Sequence, residues 1–220
     1  MLKKAIKFQI LVLILIVFVQ ASFVDAQIKY PETINILQTV YRDEIQAHLT
    51  YLAYAEKAIS ENYPNIAHLF ISLATSESIH ARNFKQLLID LKVELKESPK
   101  PEIKVSTTKE NLKSATQVEL QEIDHGYPQL IEKVRPEGHE AAIRYITYAW
   151  ESEKQHRELI KKIESGTGIL FKMLSRIIEK TPNRYFVCQE CGSTIRELPE
   201  VACPICKSSV SNYKEIERVK

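Results

Sequence analysis

Glycine is scarce, at five in 220 residues. A chain so poor in the residue that turns tight corners does not build many hairpins, and its long periodic stretches read as helices. Blocks of like charge are missing too. Thirty basic side chains face 28 acidic ones, for a net charge of +2. No basic patch stands out to hold a phosphate backbone, which argues against a nucleic-acid partner. Cysteine is absent from the first 187 residues, and all four cysteines lie between 188 and 206. What remains is ordinary: 45% hydrophobic and 26% charged residues, enough chain for one or two domains with a real core.

The only long apolar run lies at the N-terminus. Lys3, Lys4 and Lys7 precede the stretch Ile10 to Val19, and "QASFVDAQ" follows, with Val24 and Ala26 at the −3 and −1 positions. A charged start, an apolar middle and a small-residue cleavage site make residues 1–26 a secretory signal. Export to a periplasmic or other extracytoplasmic space is expected; the alternative is an uncleaved membrane anchor through residues 8–24. Cleavage removes three lysines and one aspartate, leaving basic and acidic side chains in balance.

Four long helical patterns follow, forming a domain over 27–168. The first runs from Pro31 to Ser60. The second opens at Asn62-Tyr63-Pro64, with Asn62 as cap, and continues to Val93. The third opens at "TTKEN", where Thr107 and Glu110 have capping-box spacing, and ends near Arg135-Pro136. The fourth runs from Gly138 to Ser165. A short helix over 169–180 and a linker to 184 lead to a cysteine-bearing module of turns and short strands, 185–220. The first and second helices, and the third and fourth, are joined by few residues and should be antiparallel hairpins. Between the second and third lies "ELKESPKPEIKVS". A 30-residue helix is about 45 Å long, and this link, fully extended, reaches about 43–47 Å. That length is the signature of a mainly α, ferritin-like four-helix bundle with one long crossover.

Each helix carries an apolar stripe in steps of three and four, and each stripe is broken near its middle by acids or histidines. The first reads Ile34, Leu37, Tyr41, Glu44, His48, Tyr51, Ala55. The second reads Ile66, Phe70, Leu73, Glu77, His80, Phe84, Leu87. The third reads Leu112, Ala115, Glu119, Glu122, Gly126, Leu130. The fourth reads Ala142, Ile146, Ala149, Glu153, His156, Ile160, Ile163. One such residue means little; most glutamates sit on solvated faces. Four interruptions at one level mean more. Bare buried carboxylates cost several kcal/mol each, so the level needs protons or cations. Carboxylates mixed with imidazoles suit iron or manganese. One Glu from each of two helices, plus Glu-x-x-His from each of two others, is the di-iron carboxylate pattern. Glu122 is extra to that minimum. His125, off the stripe, is read as accidental, and His48 as a hydrogen-bonded core histidine.

"CQEC" (188–191) and "CPIC" (203–206) are two Cys-x-x-Cys knuckles 11 residues apart. With both knuckles intact, a four-thiolate metal site is favoured over disulfides. The spacing suits iron or zinc alike.

"RDEIQAHLTY", "SESIHARNF", "NLKSATQVELQEIDHGYP", "ESEKQH" and "YFVCQECG…CPIC…Y" together resemble the rubrerythrins over about residues 30–218. The resemblance implies a di-iron bundle followed by a rubredoxin-like domain. It places Glu44, Glu77, His80, Glu119, Glu122, Glu153 and His156 on the iron ligands of an oxo-bridged pair. Glu77 and Glu153 would bridge, and Glu122 and His80 would alternate on one iron. Tyr51 and Tyr127 would hydrogen-bond those ligands. Cys188, Cys191, Cys203 and Cys206 would hold a single iron, or zinc. It further implies reduction of hydrogen peroxide to water, electrons passing through the thiolate-bound iron, and a homodimer or larger homo-oligomer that brings this iron near a di-iron site in another subunit. The electron donor is unknown. A ferroxidase or iron store, or a structural bundle with a zinc ribbon, are the alternatives. The chain departs from the family in three ways. His48 replaces the usual arginine, Lys207 and "SSVSNY" follow the second knuckle without the usual proline-lysine, and a signal precedes the whole.

Overall fold

The computed structural model describes residues 29–95, 101–164, 169–180 and 183–218. The signal or anchor at 1–26 lies outside the described residues, none of whose helices is long and apolar enough to cross a membrane. Helix α1 spans Pro31–Ser60 and α2 spans Pro64–Asp90. The third rod is composite: α3 (Thr108–Gln121), a π-helical turn (Glu122–Gly126), α4 (Tyr127–Val134) and a 3-10 turn (Arg135–Glu137). Helices α5 (Glu140–Glu164) and α6 (Ile169–Lys180) follow.

Thr107 caps α3 with the full capping box, as its spacing predicts. Asn62 does not cap α2. It sits left-handed at φ 62° and ends α1 instead, with the Tyr63 amide donating to Ala58 O at 2.8 Å. The first amides of α2, from Asn65 and Ile66, are met by the Glu179 carboxylate of α6 at 2.8 and 3.2 Å. Glu137 does the same for Glu32 and Thr33 at the start of α1, at 2.9 and 2.8 Å. Glu61 does so for Thr108 at the start of α3, at 2.9 Å. Three helix N-termini are thus closed by carboxylates far away in sequence, which complement the positive end of each helix dipole.

Two of these contacts fix the topology. Glu137, at the end of the third rod, touches the start of α1, and Glu61, just past the end of α1, touches the start of α3. The third rod therefore runs antiparallel to α1. It starts at the end of the bundle where α2 also starts, so the link after α2 has to travel the length of the bundle, as its extended length suggests.

Along the bundle the core divides in two. One apolar cluster contains Tyr51, Phe70, Leu73, Leu112, Ala115 and Ile160. The other contains Leu37, Phe84, Leu88, Ile131, Ile146 and Ala149. The acids and histidines fall between them in sequence on every helix. The third helix departs from its expected stripe. The π turn adds one residue to the rod, shown by the Tyr127 amide donating to Glu122 O. Within and beyond it the fully buried residues are Ile123, Tyr127, Ile131 and Val134, not Gly126 and Leu130.

Helix α2 is buried on almost every side, because a second layer covers its outer face. That layer is α6 and the C-terminal module, a three-stranded antiparallel sheet of order β2-β1-β3. Its strands are β1 (Phe186–Cys188), β2 (Thr194–Ile195) and β3 (Tyr213–Glu215). His68 of α2 reaches into it, hydrogen-bonding Ile216 O at 2.8 Å and packing edge-on against Tyr185.

Candidate metal centre

Helical spacing of three puts Glu77 beside His80 on α2 and Glu153 beside His156 on α5. Glu44 of α1 and Glu119 of α3 face them. Two groups of four result: Glu44, Glu77, His80 and Glu153, and Glu77, Glu119, Glu153 and His156, in each of which one ligand atom from every residue lies within 4.8 Å of the others. Glu77 and Glu153 belong to both, the arrangement two bridged ions require. His80 Nδ1 lies 3.0 Å from Glu77, 3.4 Å from Glu153 and 3.5 Å from Glu44. His156 Nδ1 lies 2.9 Å from Glu153 and 3.2 Å from Glu77. All six residues are at most 4% exposed.

The tyrosines hold the terminal carboxylates. Tyr51 donates to Glu119 Oε1 and Tyr127 to Glu44 Oε1, both at 2.6 Å. Glu122 is not in either group. It sits in the π turn and lines a cavity of about 460 Å³ with Asp43, Tyr51, Tyr54 and Val118. Of the two residues the resemblance makes alternatives on one ion, His80 takes the inner place here. His48 Nδ1 hydrogen-bonds Ala74 O, 2.7 Å away, as a core histidine would. His125 is exposed.

The electrostatics call for cations. Burial pushes the Glu44 carboxyl up to about 7, with His80 pulling back only in part. Burial, then the charge of Glu153, pushes Glu119 and Glu122 well above the usual range. Burial should lower the histidines, but Glu77 and Glu153 outweigh it and push His156 up to about 10; Glu44 leads the same effect at His80. Glu153 goes the other way: burial opposes its charge, but His156 and His80 hold it well below the usual range. The metal-free cage therefore hoards protons. Both Glu77 oxygens, His80 Nδ1 and Glu119 Oε2 are nonetheless buried without a hydrogen bond, although carboxylate and imidazole atoms lie close. Their lone pairs suit a shared cation better than each other.

The four cysteines are free, and their sulfurs lie within 4.8 Å of one another. Gly192 N donates to Cys188 O and Lys207 N to Cys203 O, at 2.9 and 3.0 Å, closing both knuckles alike. Each closing residue is left-handed, Gly192 at φ 79° and Lys207 at φ 63°. Lysine tolerates the second position, where its ammonium reaches Pro204 O. Glycine is required at the first, for a Cβ there would lie 2.4 Å from His80 Nε2.

That closeness reflects how the module docks. His80 Nε2 lies 3.1 Å from Cys191 O, and Ser76 donates to Gly192 O at 2.7 Å. Asn83 donates to Glu190 O at 2.7 Å, and Gln155 Oε1 accepts from Ser193 Oγ and Thr194 N at 2.9 and 3.1 Å. The thiolate site thus rests on a histidine of its own chain's cage, where the resemblance implies a route between subunits. Ser76, Asn83, Gln155 and Thr194 carry no sequence signal, because polar residues on the outer face of a helix or in a turn read as solvated.

The rubrerythrin family model matches residues 35–164. Rubrerythrin-2 of Clostridium acetobutylicum is 32% identical, over 81% of this chain and 94% of that protein. Nigerythrin of Nitratidesulfovibrio vulgaris is 25% identical, over 83% and 85%. Among solved structures, fully reduced nigerythrin superposes with a TM-score of 0.70 at 23% identity, covering 88% of this chain and 91% of that one. A Desulfovibrio desulfuricans bacterioferritin superposes with a TM-score of 0.64 at 20% identity, covering 70% and 90%; at these identities both show the fold alone. The family match runs over more than half of the chain and takes in every residue of the helical cage, so the chain belongs to the rubrerythrin family of di-iron proteins.

Proposed function

We propose that the protein reduces hydrogen peroxide to water at the bundle site, with electrons arriving through the thiolate site of the same chain. The observation that carries this reading is the contact of Cys191 O with His80 Nε2 at 3.1 Å. It links a thiolate ligand to a cage imidazole through one residue's backbone and one hydrogen bond. An iron store or ferroxidase has no use for that link, and a zinc ribbon on a structural bundle leaves the buried acids without a purpose. Two irons in the cage would supply the two electrons that peroxide O–O cleavage consumes, and an iron in the thiolate site would restore them singly.

The chain's own residues prepare the site. Glu77 and Glu153 would span the two ions, with Glu44 and His80 at one and Glu119 and His156 at the other. Tyr51 and Tyr127 fix the outer carboxylates and keep a hydroxyl proton beside each. The cavity beside Glu122 gives peroxide a way in. Apolar clusters on both sides keep bulk water away. Residues 1–26 would direct export, and the mature chain would begin at Gln27.

Protein purified with its native metals tests this. We expect strong visible absorption from a ferric thiolate site, bleached by reductant and restored by peroxide. A colourless, zinc-filled thiolate site ends the electron-transfer reading. N-terminal sequencing of exported protein tests cleavage: Gln27 at the start supports it, and Met1 at the start supports the anchor.

A further inference from the structure

Both cage histidines point Nδ1 at the carboxylates and Nε2 toward the C-terminal module, His80 at Cys191 and His156 at Thr194. A neutral imidazole carries its proton on one nitrogen, and only the other can bind a metal. The partner of Nε2 therefore decides whether Nδ1 is a ligand.

For His80 the partner is the carbonyl of Cys191. A carbonyl only accepts, so Nε2 carries the proton and Nδ1 is left free. For His156 the partners are hydroxyls: Thr194 Oγ1 at 3.3 Å and Ser152 Oγ at 3.4 Å. A hydroxyl can donate or accept, so it selects nothing by itself. The Gly192 carbonyl removes the ambiguity. Thr194 Oγ1 donates to it at 3.0 Å and Ser76 Oγ at 2.7 Å. With its proton spent there, Thr194 can only accept from His156. Ser76, its proton also spent, accepts from Ser152 across 3.4 Å. When Ser152 gives its proton to Ser76, it too accepts from His156. The Thr194 route runs from His156 Nε2–H to one backbone carbonyl, and the Ser152 route can run the same way.

We infer that Thr194 is a positioning residue for the bundle's metal site: oriented by the Gly192 carbonyl, it holds His156 with the proton on Nε2 and the Nδ1 lone pair aimed at the metal. The C-terminal module thereby completes the coordination sphere of the helical domain as well as docking on it. Together the consecutive carbonyls of Cys191 and Gly192 set both imidazoles. Thr194 is 1% exposed and belongs to neither ligand group, so its effect passes through His156.

The test compares Thr194→Val, which keeps the shape and removes the hydroxyl, with Thr194→Ser, which keeps the hydroxyl. Full-length protein carries zinc in the thiolate site, and Co²⁺ is titrated into the cage, read by its d–d absorption. Loss of an outer hydrogen-bond partner typically costs ~10–100-fold in metal affinity. With Ser152 still in place, about tenfold is expected for Thr194→Val, and Thr194→Ser should stay close to wild type. Proton NMR of the Co²⁺ form gives a second readout. Wild type should show two paramagnetically shifted, exchangeable imidazole N–H signals, and Thr194→Val should lose or broaden one of them. Wild-type affinity with both signals intact in Thr194→Val overturns the inference and leaves the metal site standing. So does a Thr194→Ser variant as weak as Thr194→Val, which would assign the effect to packing. Wild-type protein whose cage takes up no Co²⁺ refutes the metal site and the inference together.

Discussion

The two metal sites of this protein are built by opposite means. The thiolate site is local: its four ligands fall within residues 188–206, and two short turns, each closed by a backbone hydrogen bond, bring them together. The cage is non-local: its ligands span Glu44 to His156, one or two from each long helix, and meet only when the bundle is packed. A local site owes its geometry to the backbone and its stability to the metal. A non-local site has its carboxylates forced together by the apolar clusters above and below, and the cost of crowding them is stored until cations arrive.

The largest effects should come from separating the sites. Glu119→Ala or Glu153→Ala should abolish metal binding in the cage and lower peroxide turnover by more than ~100-fold, beyond what loss of an outer partner costs. The visible band of the thiolate site should be unchanged. Cys203→Ser should do the reverse, which metal analysis and absorption spectra read directly. Equal loss of both metals in either variant would show that the two sites fold as one unit.

Mixing those two variants asks whether electrons cross between chains. The contact of Cys191 with His80 lies within one chain, so co-refolded Glu119→Ala and Cys203→Ser proteins should stay inactive. Recovery toward a quarter of wild-type turnover, the share expected from random pairing of equal amounts, would show that a thiolate site serves the cage of a neighbouring subunit.

The junction itself should be sensitive to one methyl group. In Gly192→Ala the new Cβ meets His80 Nε2 and Ser76 Oγ, in a left-handed backbone. Strain of this kind costs about 1–3 kcal/mol. Denaturant unfolding should show that loss, and stopped-flow absorption should show electron delivery to the cage slowed more than its oxidation by peroxide. Lys207→Gly, at the matching position of the other knuckle, touches no cage residue and should stabilise slightly or be neutral.

The last expected effect is a slope with pH. His156, pushed up to about 10, and Glu44, pushed up to about 7, both hold protons more tightly folded than unfolded. Stability from a raised pKa is present below the unfolded value and is lost as pH rises through the folded one. The metal-free chain should therefore unfold at lower denaturant at pH 9 than at pH 6. Glu153, held low, acts in the opposite sense, but only below the ordinary carboxylate pKa. Bound Mn²⁺ should flatten the slope, because cations replace those protons. A metal-free chain with level stability across this range would mean the cage opens to water.

Much of this was legible in the residues. The helices, the capping box at Thr107, the crossover and the level of interrupting acids all follow from periodicity and spacing, which are one-dimensional properties. The register beyond Glu122 was not legible. A π turn adds one residue without any composition cue, and it moves Tyr127 to the inside in place of Gly126. The caps from Glu61, Glu137 and Glu179 were not legible either, since an exposed-looking glutamate does not announce which distant amides it will meet.

The sequence by itself determined that acids and histidines would interrupt four helical stripes at one level and that four thiolates would share one ion. Both follow from short-range spacing, which backbone geometry converts directly into neighbouring side chains. Only the tertiary structure decided that the thiolate module sits on the cage of its own chain, with Cys191 O at His80 and Gly192 O orienting Thr194 toward His156. Those contacts depend on how a second layer packs over α2, and packing is set by the sum of many weak apolar and polar contacts, none of which a motif records.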